Sequence, residues 1–302
     1  MDLTPDLLSI QPESVSQKLE EFIGNSIVSF KRDGAIVGLS GGLDSSVVFS
    51  LCVRAVSSSK VLALIMPERD SEPDSEIHAR LQAEELGAKI EKVDLTPILA
   101  EMGIYQHIPE SFFAHKTISA VALKAGHKLY TALTGERPLL SGLDGTAFGP
   151  MKRANAYYRM KHRVRMVLLY SYAERHNLLV AGTANKTEFL TGFFVKYGDS
   201  AADIMPLQLL YKTQVRQLAR FLKVPDVITS KPPSPDLIPG LKDEFAIGIS
   251  YEKLDLILAG LEMNMAVANI AEALRMKPGT IEYVAALVKR SEHMRNPPLI
   301  AD

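Results

Sequence analysis

The chain of 302 residues has one cysteine, Cys52, and no surplus of either charge, with 34 basic against 35 acidic side chains. A single thiol excludes a disulfide framework and any cysteine-rich zinc or iron–sulfur centre. Balanced charge argues against nucleic-acid binding, which runs on an excess of Lys and Arg. Nowhere do about eighteen uncharged apolar residues run together, so no segment is suited to crossing a bilayer. Met1 to Pro12 carries two acids, no Lys or Arg and no signal-like apolar run, which makes a soluble cytoplasmic protein the expectation. What is present is ordinary globular material, 47% hydrophobic with 17 Pro and 19 Gly, enough to bury a core unaided.

Apolar periodicity gives the layout. Leu19, Phe22, Ile23, Ile27 and Phe30 recur at helical spacing, and Arg32-Asp33-Gly34 ends that run. Ala35–Leu39 and Val61–Met66 are short, almost wholly apolar runs, as in parallel strands covered on both faces. Asp44–Val56 and Asp74–Leu86 read as helices between and after them, and Lys89–Leu95 as a further strand before the helix start at Thr96-Pro97. A buried strand returns at Leu178–Thr183, and Tyr211–Val224 is an amphipathic helix. Strands alternating with helices predict an α/β fold, a doubly wound parallel sheet with flanking helices. From Ser250 onward the pattern is all-helical, with segments near Tyr251–Leu261, Val267–Arg275 and Thr280–His293. The reading is one domain over 1–302: an α/β core over 15–250, interrupted by a block at 103–150, then C-terminal helices over 251–302. Gly103–Pro150 mixes helical spacing with Gly and Pro, and the proline-rich Lys231–Gly248 reads as a long ordered loop, the kind that often serves as a functional lid.

The first chemical signal is Gly38-Leu39-Ser40-Gly41-Gly42-Leu43-Asp44-Ser45-Ser46, set between a strand and a helix. Paired glycines let backbone approach an anion, and the helix start adds free N–H groups and the positive end of its dipole. The Lys-Ser/Thr ending of a Walker A loop is missing, so the loop suits a pyrophosphate leaving group better than transfer of a γ-phosphate. Asp44 beside phosphates requires an intervening cation, for which Mg²⁺ is the simplest choice. An ordinary glycine turn capped by Asp44 is the plainer alternative. The second signal runs from Gly182 to Lys212. Glu188 follows the strand end at Thr183, and Lys196, Asp199, Asp203 and Lys212 come after it. Ligands of parallel α/β sheets lie beyond the carboxyl ends of the strands, which would let Glu188 share a metal with Asp44 and set Lys196 and Lys212 beside phosphates.

The Ser-Gly-Gly-x-Asp-Ser-Ser loop resembles the signature of the N-type ATP pyrophosphatases, which split ATP to AMP and pyrophosphate while activating an acid as its adenylate. Within them the second half is similar to the NAD synthetase family. The marks are Gly-Thr followed by Glu188, then TGFFVKYGD with its downstream Asp203 and Pro206, and Lys212 opening a helix. Further runs are Lys161–Met166, Lys231–Ser234, Gly248–Tyr251 and Ser291–His293, so the resemblance covers roughly 15–100 and 155–298. It implies amidation of deamido-NAD to NAD through an acyl adenylate, with ATP, ammonia and Mg²⁺. By position it assigns Gly38, Leu39, Ser40, Gly41, Gly42, Leu43 and Ser45 to the ATP phosphates and Asp44 and Glu188 to the metal. Thr183, Lys212 and Ser234 fall to ATP, and Arg163, Lys196, Asp203 and His293 to deamido-NAD. Asp44, Glu188, Lys196 and Lys212 are the catalytic set. A homodimer with deamido-NAD in its interface is also implied. Met294 stands where the family often has Lys, and the 103–150 block is longer than the family leads one to expect; enlarging the dimer interface or lidding the dinucleotide site would account for it.

Two competing functions remain open at this stage. A tRNA-modifying ligase or sulfur transferase would want a basic face or paired cysteines. A non-catalytic adenine-nucleotide-binding protein would not need metal carboxylates. Cys52 sits among Leu51, Val53 and Val56 and reads as core, so the nitrogen source is ammonia, free or handed over by a separate glutaminase. The purified chain is therefore expected to release no glutamate from glutamine, as an amino-acid assay would register.

Overall fold

A computed structural model describes residues 3–107, 116–147, 149–234 and 242–301. Helix α1 (Pro12–Ser29) leads into β1 (Gly34–Gly38), α2 (Leu43–Val56), β2 (Val61–Ile65), α3 (Pro73–Glu85), β3 (Lys89–Lys92) and α4 (Thr96–Glu101). The four strands, completed by β4 (Leu178–Val180), form one parallel sheet in the order β3-β2-β1-β4. Its register sets Ile36 of β1 beside both Leu62 of β2 and Val180 of β4.

Period-two alternation sends each strand into two cores. Ala35, Val37, Ala63 and Leu179 face Ile23 and Ile27 of α1 and Val48 and Cys52 of α2. Ile36, Leu62, Leu64 and Val180 face the opposite way, onto Leu169 and Ala173 of the long helix α7 (Gly149–His176). Both faces are covered, which is why these strands read as unbroken apolar runs. Cys52 is fully buried, and burial pushes its thiol up to about 12, so it is packing material and not a nucleophile.

The stretch from 103 to 150 contributes α5 (Lys116–Thr134) and α6 (Pro138–Leu143) before running into α7; its residues 108–115 and 148 lie outside the described residues, as do 235–241 of the proline-rich loop. After β4 come α8 (Lys186–Thr191), α9 (Lys212–Phe221), α10 (Asp226–Thr229) and α11 (Asp243–Ile247). The last of these places a helical turn inside the stretch expected to be loop. Four helices follow: α12 (Tyr251–Glu262), α13 (Val267–Ala273), α14 (Pro278–Arg290) and α15 (Glu292–Arg295). They enclose a separate core of Tyr251, Leu254, Ile257, Ile270, Val284 and Leu287, joined by Leu140, Phe194 and Tyr211 from the first part of the chain.

The loop leaving β2 is clamped to α7 by buried charge. The Lys161 ammonium donates to Glu68 at 2.9 Å and Asp70 at 2.6 Å, the Tyr157 hydroxyl donates to Asp70, and Tyr105 donates to Glu68 at 2.9 Å. Burial alone would raise the Asp70 pKa, yet hydrogen bonds from Arg69, Lys161 and Tyr157 hold it below the ordinary value. Removing the ammonium strands two acids in a dry site. Lys161→Met is expected to lower the unfolding free energy by about 3–5 kcal/mol, measurable from the urea midpoint.

Candidate active site

The sheet order reverses direction at β1: the chain moves outward through β2 and β3, then returns to the other side of β1 with β4. The crevice at such a switch point is where doubly wound folds bind ligands. The Leu39–Gly42 turn and the start of α2 form one wall of it. Gly41 has φ +73°, and a Cβ there would lie 2.1 Å from the Ser75 carbonyl oxygen, so no other residue fits. The turn is braced from within: Ser40 N donates to Ser45 Oγ at 3.3 Å, the two hydroxyls lie 3.0 Å apart, and Ser45 Oγ donates to the Gly42 carbonyl at 3.1 Å. This loop opens on a cavity of about 1360 Å³. That exceeds the volume of a typical single-ligand pocket, roughly 300–1,000 Å³, and leaves room for a nucleotide together with part of a second substrate.

The opposite wall is built by α8 and α9. Asn185 and Glu188 form a capping box: the Asn185 side chain accepts from Glu188 N at 3.0 Å while Asn185 N donates to the Glu188 carboxylate at 3.3 Å. The same Asn185 amide donates to Asp44 Oδ1 at 3.1 Å. Lys212, the first residue of α9, is only 2% exposed. Its ammonium donates to Asp44 Oδ2 and, at 3.3 Å, to Glu188 Oε1. Paired with two acids, Lys212 is held protonated well above its ordinary pKa although burial opposes this. Glu188 moves the other way: burial, with the Asp44 and Asp243 charges adding, outweighs Lys212 and pushes its carboxyl up to about 8.

A layer of buried polar groups fixes these three side chains. Asp255, fully buried in α12, accepts from the Thr187 hydroxyl at 2.6 Å and from Thr213 N at 2.8 Å. Thr187 Oγ1 in turn accepts from Lys212 N at 2.9 Å. One carboxylate thus sets the start of α8 against the start of α9. Beside it, Asp243 accepts from the Tyr251 hydroxyl at 2.9 Å and lines the cavity.

Of the residues expected from sequence, Gly38, Leu39, Ser40, Gly42, Leu43, Asp44, Ser45, Thr183, Glu188, Lys212 and Ser234 all line this cavity. Gly41 supports it from behind, against Ser75. Arg163, Lys196, Asp203 and His293 lie outside its wall. The Lys196 ammonium donates to the carbonyls of His293 and Asn296, at 3.0 and 2.9 Å, and so is not beside Asp44 in this structure. Asp203 completes the edge of β4, accepting from Val180 N at 2.8 Å and from the Tyr170 hydroxyl at 3.2 Å. Arg163 donates to the Lys196 carbonyl at 3.4 Å, and His293 Nδ1 lies 2.9 Å from the Arg290 carbonyl. Asn185, Asp243 and Asp255 were not singled out from sequence. The Asn-x-x-Glu spacing marks the first as a cap, and an acid inside the apolar run Leu254–Leu258 marks the last; nothing in the sequence marks Asp243.

Two carboxylates drawn to one cation fit Mg²⁺, a hard ion that takes one or two protein carboxylates and completes its shell with phosphate oxygens and water. Among the described residues no third acid, His or Cys joins them closely enough to make a self-sufficient metal cage, as expected for an ion that arrives with a nucleotide.

A braced glycine turn facing a buried acid–amine cluster across the switch point defines an enzyme of the adenine-nucleotide alpha-hydrolase-like class. Comparison narrows it. The model of the NAD synthase family matches residues 15–127 and 144–298. The NH(3)-dependent NAD(+) synthetase of Thermotoga neapolitana is 43% identical over 96% of both chains, and that of Methanocaldococcus jannaschii 37% identical over 95% of both. Among solved structures, the NMN synthetase of Francisella tularensis superposes with a TM-score of 0.71 at 26% identity, covering 97% of this chain and 100% of that one. This chain belongs to the NAD synthase family. Within the 103–150 block the family model leaves out 128–143.

Two expectations follow. Any metal at Glu188 must displace a proton held with a pKa of about 8. Nucleotide-free Mn²⁺ affinity should therefore weaken on acidification below that value, by up to about tenfold per pH unit, and Glu188→Gln should abolish the slope in an electron paramagnetic resonance titration. Gly41→Ala forces the loop away from Ser75 and should cost about 2–3 kcal/mol of stability, with ATP affinity lost in parallel, both readable by thermal shift with and without nucleotide.

Proposed function

We propose that this chain catalyses ATP-dependent amidation of deamido-NAD to NAD through an acyl adenylate, consuming ammonia and releasing AMP and pyrophosphate. The observation that carries the reading is the convergence of Asp44, Glu188 and Lys212, from three separate helices, beside the Ser40–Ser45 turn. A carboxylate does not react with ammonia in water, because it is a poor electrophile with no leaving group. Activation converts it: a nicotinate oxygen attacks the α-phosphorus, and the bond to pyrophosphate breaks with its electron pair leaving on pyrophosphate.

This chain's groups suit that step. The Ser40–Ser45 turn, at the positive end of α2, would receive the departing pyrophosphate. Lys212, kept charged by its acidic neighbours, supplies a positive charge where negative charge builds up. Mg²⁺ held by Asp44 and Glu188 would act as a Lewis acid on the phosphate oxygens. No enzyme nucleophile is required, in keeping with the inert Cys52. The nitrogen donor is then ammonia, and a separate glutaminase partner is compatible with it.

Arg163, Lys196, Asp203 and His293 lie off the cavity wall; keeping them as the deamido-NAD contacts puts the dinucleotide along a neighbouring face, in a homodimer interface. Leu129 and Leu133 of α5 are 61% and 70% exposed and line the cavity, apolar surface at its rim that would support a cover for the dinucleotide or an enlarged dimer interface. The 15–250 core and the 251–302 helices act as one catalytic unit in the cytoplasm. Among the described residues no helix is long and apolar enough to cross a membrane.

Asp44→Asn tests the reading. NAD formation from Mg-ATP, deamido-NAD and ammonium should fall by about 10²–10³-fold or more with the circular dichroism spectrum unchanged. Undiminished turnover would remove the role of the acid cluster.

A further inference from the structure

Arginine keeps its charge in any protein setting, so a guanidinium partly withdrawn from water with no acid to offset it calls for an anion from outside. Arg159, on the cavity-lining side of α7, is in that position. It is half-buried, and one of its Nη groups donates to the Gly142 carbonyl of α6 at 2.7 Å. The other two guanidinium nitrogens have no partner among the described residues, and neither is sealed off. Burial and the like charge of Arg163, one turn further along α7, both push its pKa down, and no carboxylate acts against them.

The surroundings say what kind of molecule brings the anion. Leu139 and Leu143 line the cavity on either side of Gly142, and Tyr158 and Phe193 add aromatic surface. A Cβ on Gly192 would lie 2.8 Å from Leu143, so α6 packs directly on the end of α8. Phe193 N closes that helix on the Glu188 carbonyl at 2.9 Å. Four residues, about 6 Å of helical rise, separate this contact from Glu188. The Arg159 side of the cavity is thus continuous with the acid–amine cluster. ATP already has the Ser40–Ser45 turn and Lys212 for its phosphates. The reactant left without a cation on the cavity wall is the second substrate, which carries a carboxylate on a flat ring and a pair of phosphates.

We propose that Arg159 holds an anionic group of deamido-NAD, its carboxylate or a phosphate, where the dinucleotide enters the cavity. The inference rests on the amidation reading above. Arg163 lies off the wall and Arg159 on it, one turn apart on the same helix, so a dinucleotide running along the neighbouring face passes from the first guanidinium to the second. The open nitrogens of Arg159 form a fork that matches two oxygens of a carboxylate or phosphate. Arg159 is a specificity-determining residue: it binds this substrate and takes no part in moving protons or electrons.

Steady-state kinetics of wild type, Arg159→Gln and Arg159→Lys test this. Arg159→Gln should raise the KM for deamido-NAD by about 10- to 100-fold, the worth of a charge-assisted hydrogen bond, with a much smaller change in the KM for ATP. Arg159→Lys, which keeps the charge but not the fork, should fall between the two. The inhibition constant of NAD, which has the same phosphates but an amide for the carboxylate, identifies the group held. A rise matching that for deamido-NAD assigns a phosphate, and an unchanged value assigns the carboxylate. An unaltered KM for deamido-NAD in Arg159→Gln would overturn the proposal. So would equal rises for ATP and deamido-NAD, the mark of a merely structural loss at the Gly142 contact or of an ATP phosphate as the true ligand. If wild type makes no NAD from deamido-NAD, the amidation reading itself fails, a result distinct from any of these.

Discussion

The Lys212 ammonium, buried between Asp44 and Glu188, is the contact around which the catalytic end of the molecule is arranged. Taking an ammonium and two carboxyl groups out of water is expensive, and the arrangement is tolerable only because their remaining hydrogen-bonding positions are met. Asn185 donates to the far oxygen of Asp44 and its own backbone N–H meets the far oxygen of Glu188. The Lys212 backbone N–H is held by Thr187, and Thr187 by Asp255. Preorganisation of this kind is what lets a site stabilise charge as it develops, since its dipoles do not have to turn at the moment of reaction.

Topology explains why these residues can meet at all. Asp44 and Lys212 are 168 residues apart in sequence, yet both begin helices at the carboxyl end of the same sheet. Parallel strands send every crossover back to start on one side, so helix starts accumulate there, and a reversal of strand order opens the space between them. The C-terminal helices bring a separate core up to this edge through Tyr251, Leu254 and Asp255. The cavity lies where the cores come together.

Much of this was legible in the chain. The strands announce themselves because both faces are buried and the apolar runs are unbroken; Ala35–Leu39 was displaced by one residue from the observed Gly34–Gly38 and Val61–Met66 was long by one. Lys89–Leu95 was too long, because the ladder stops at Lys92 and the chain turns toward α4. The glycine turn and its acid were readable because their chemistry is local. Asp243 and Asp255 were not, since their importance lies in what surrounds them, and that is contributed by Thr187, Lys212 and Tyr251 from distant segments. Lys196 shows the opposite failure: charge and spacing put it beside phosphates, while the fold turns its ammonium onto the carbonyls of the last helical turn.

The reach of Asp255 across the junction has a further consequence. Because a side chain of the helical end tethers the first turns of both α8 and α9, any loosening of that end frees the acid and the amine from each other before the central strands come apart. The protein would fall silent while most of its secondary structure still stood, so that its working lifetime is governed by the coherence of its least sheet-like part.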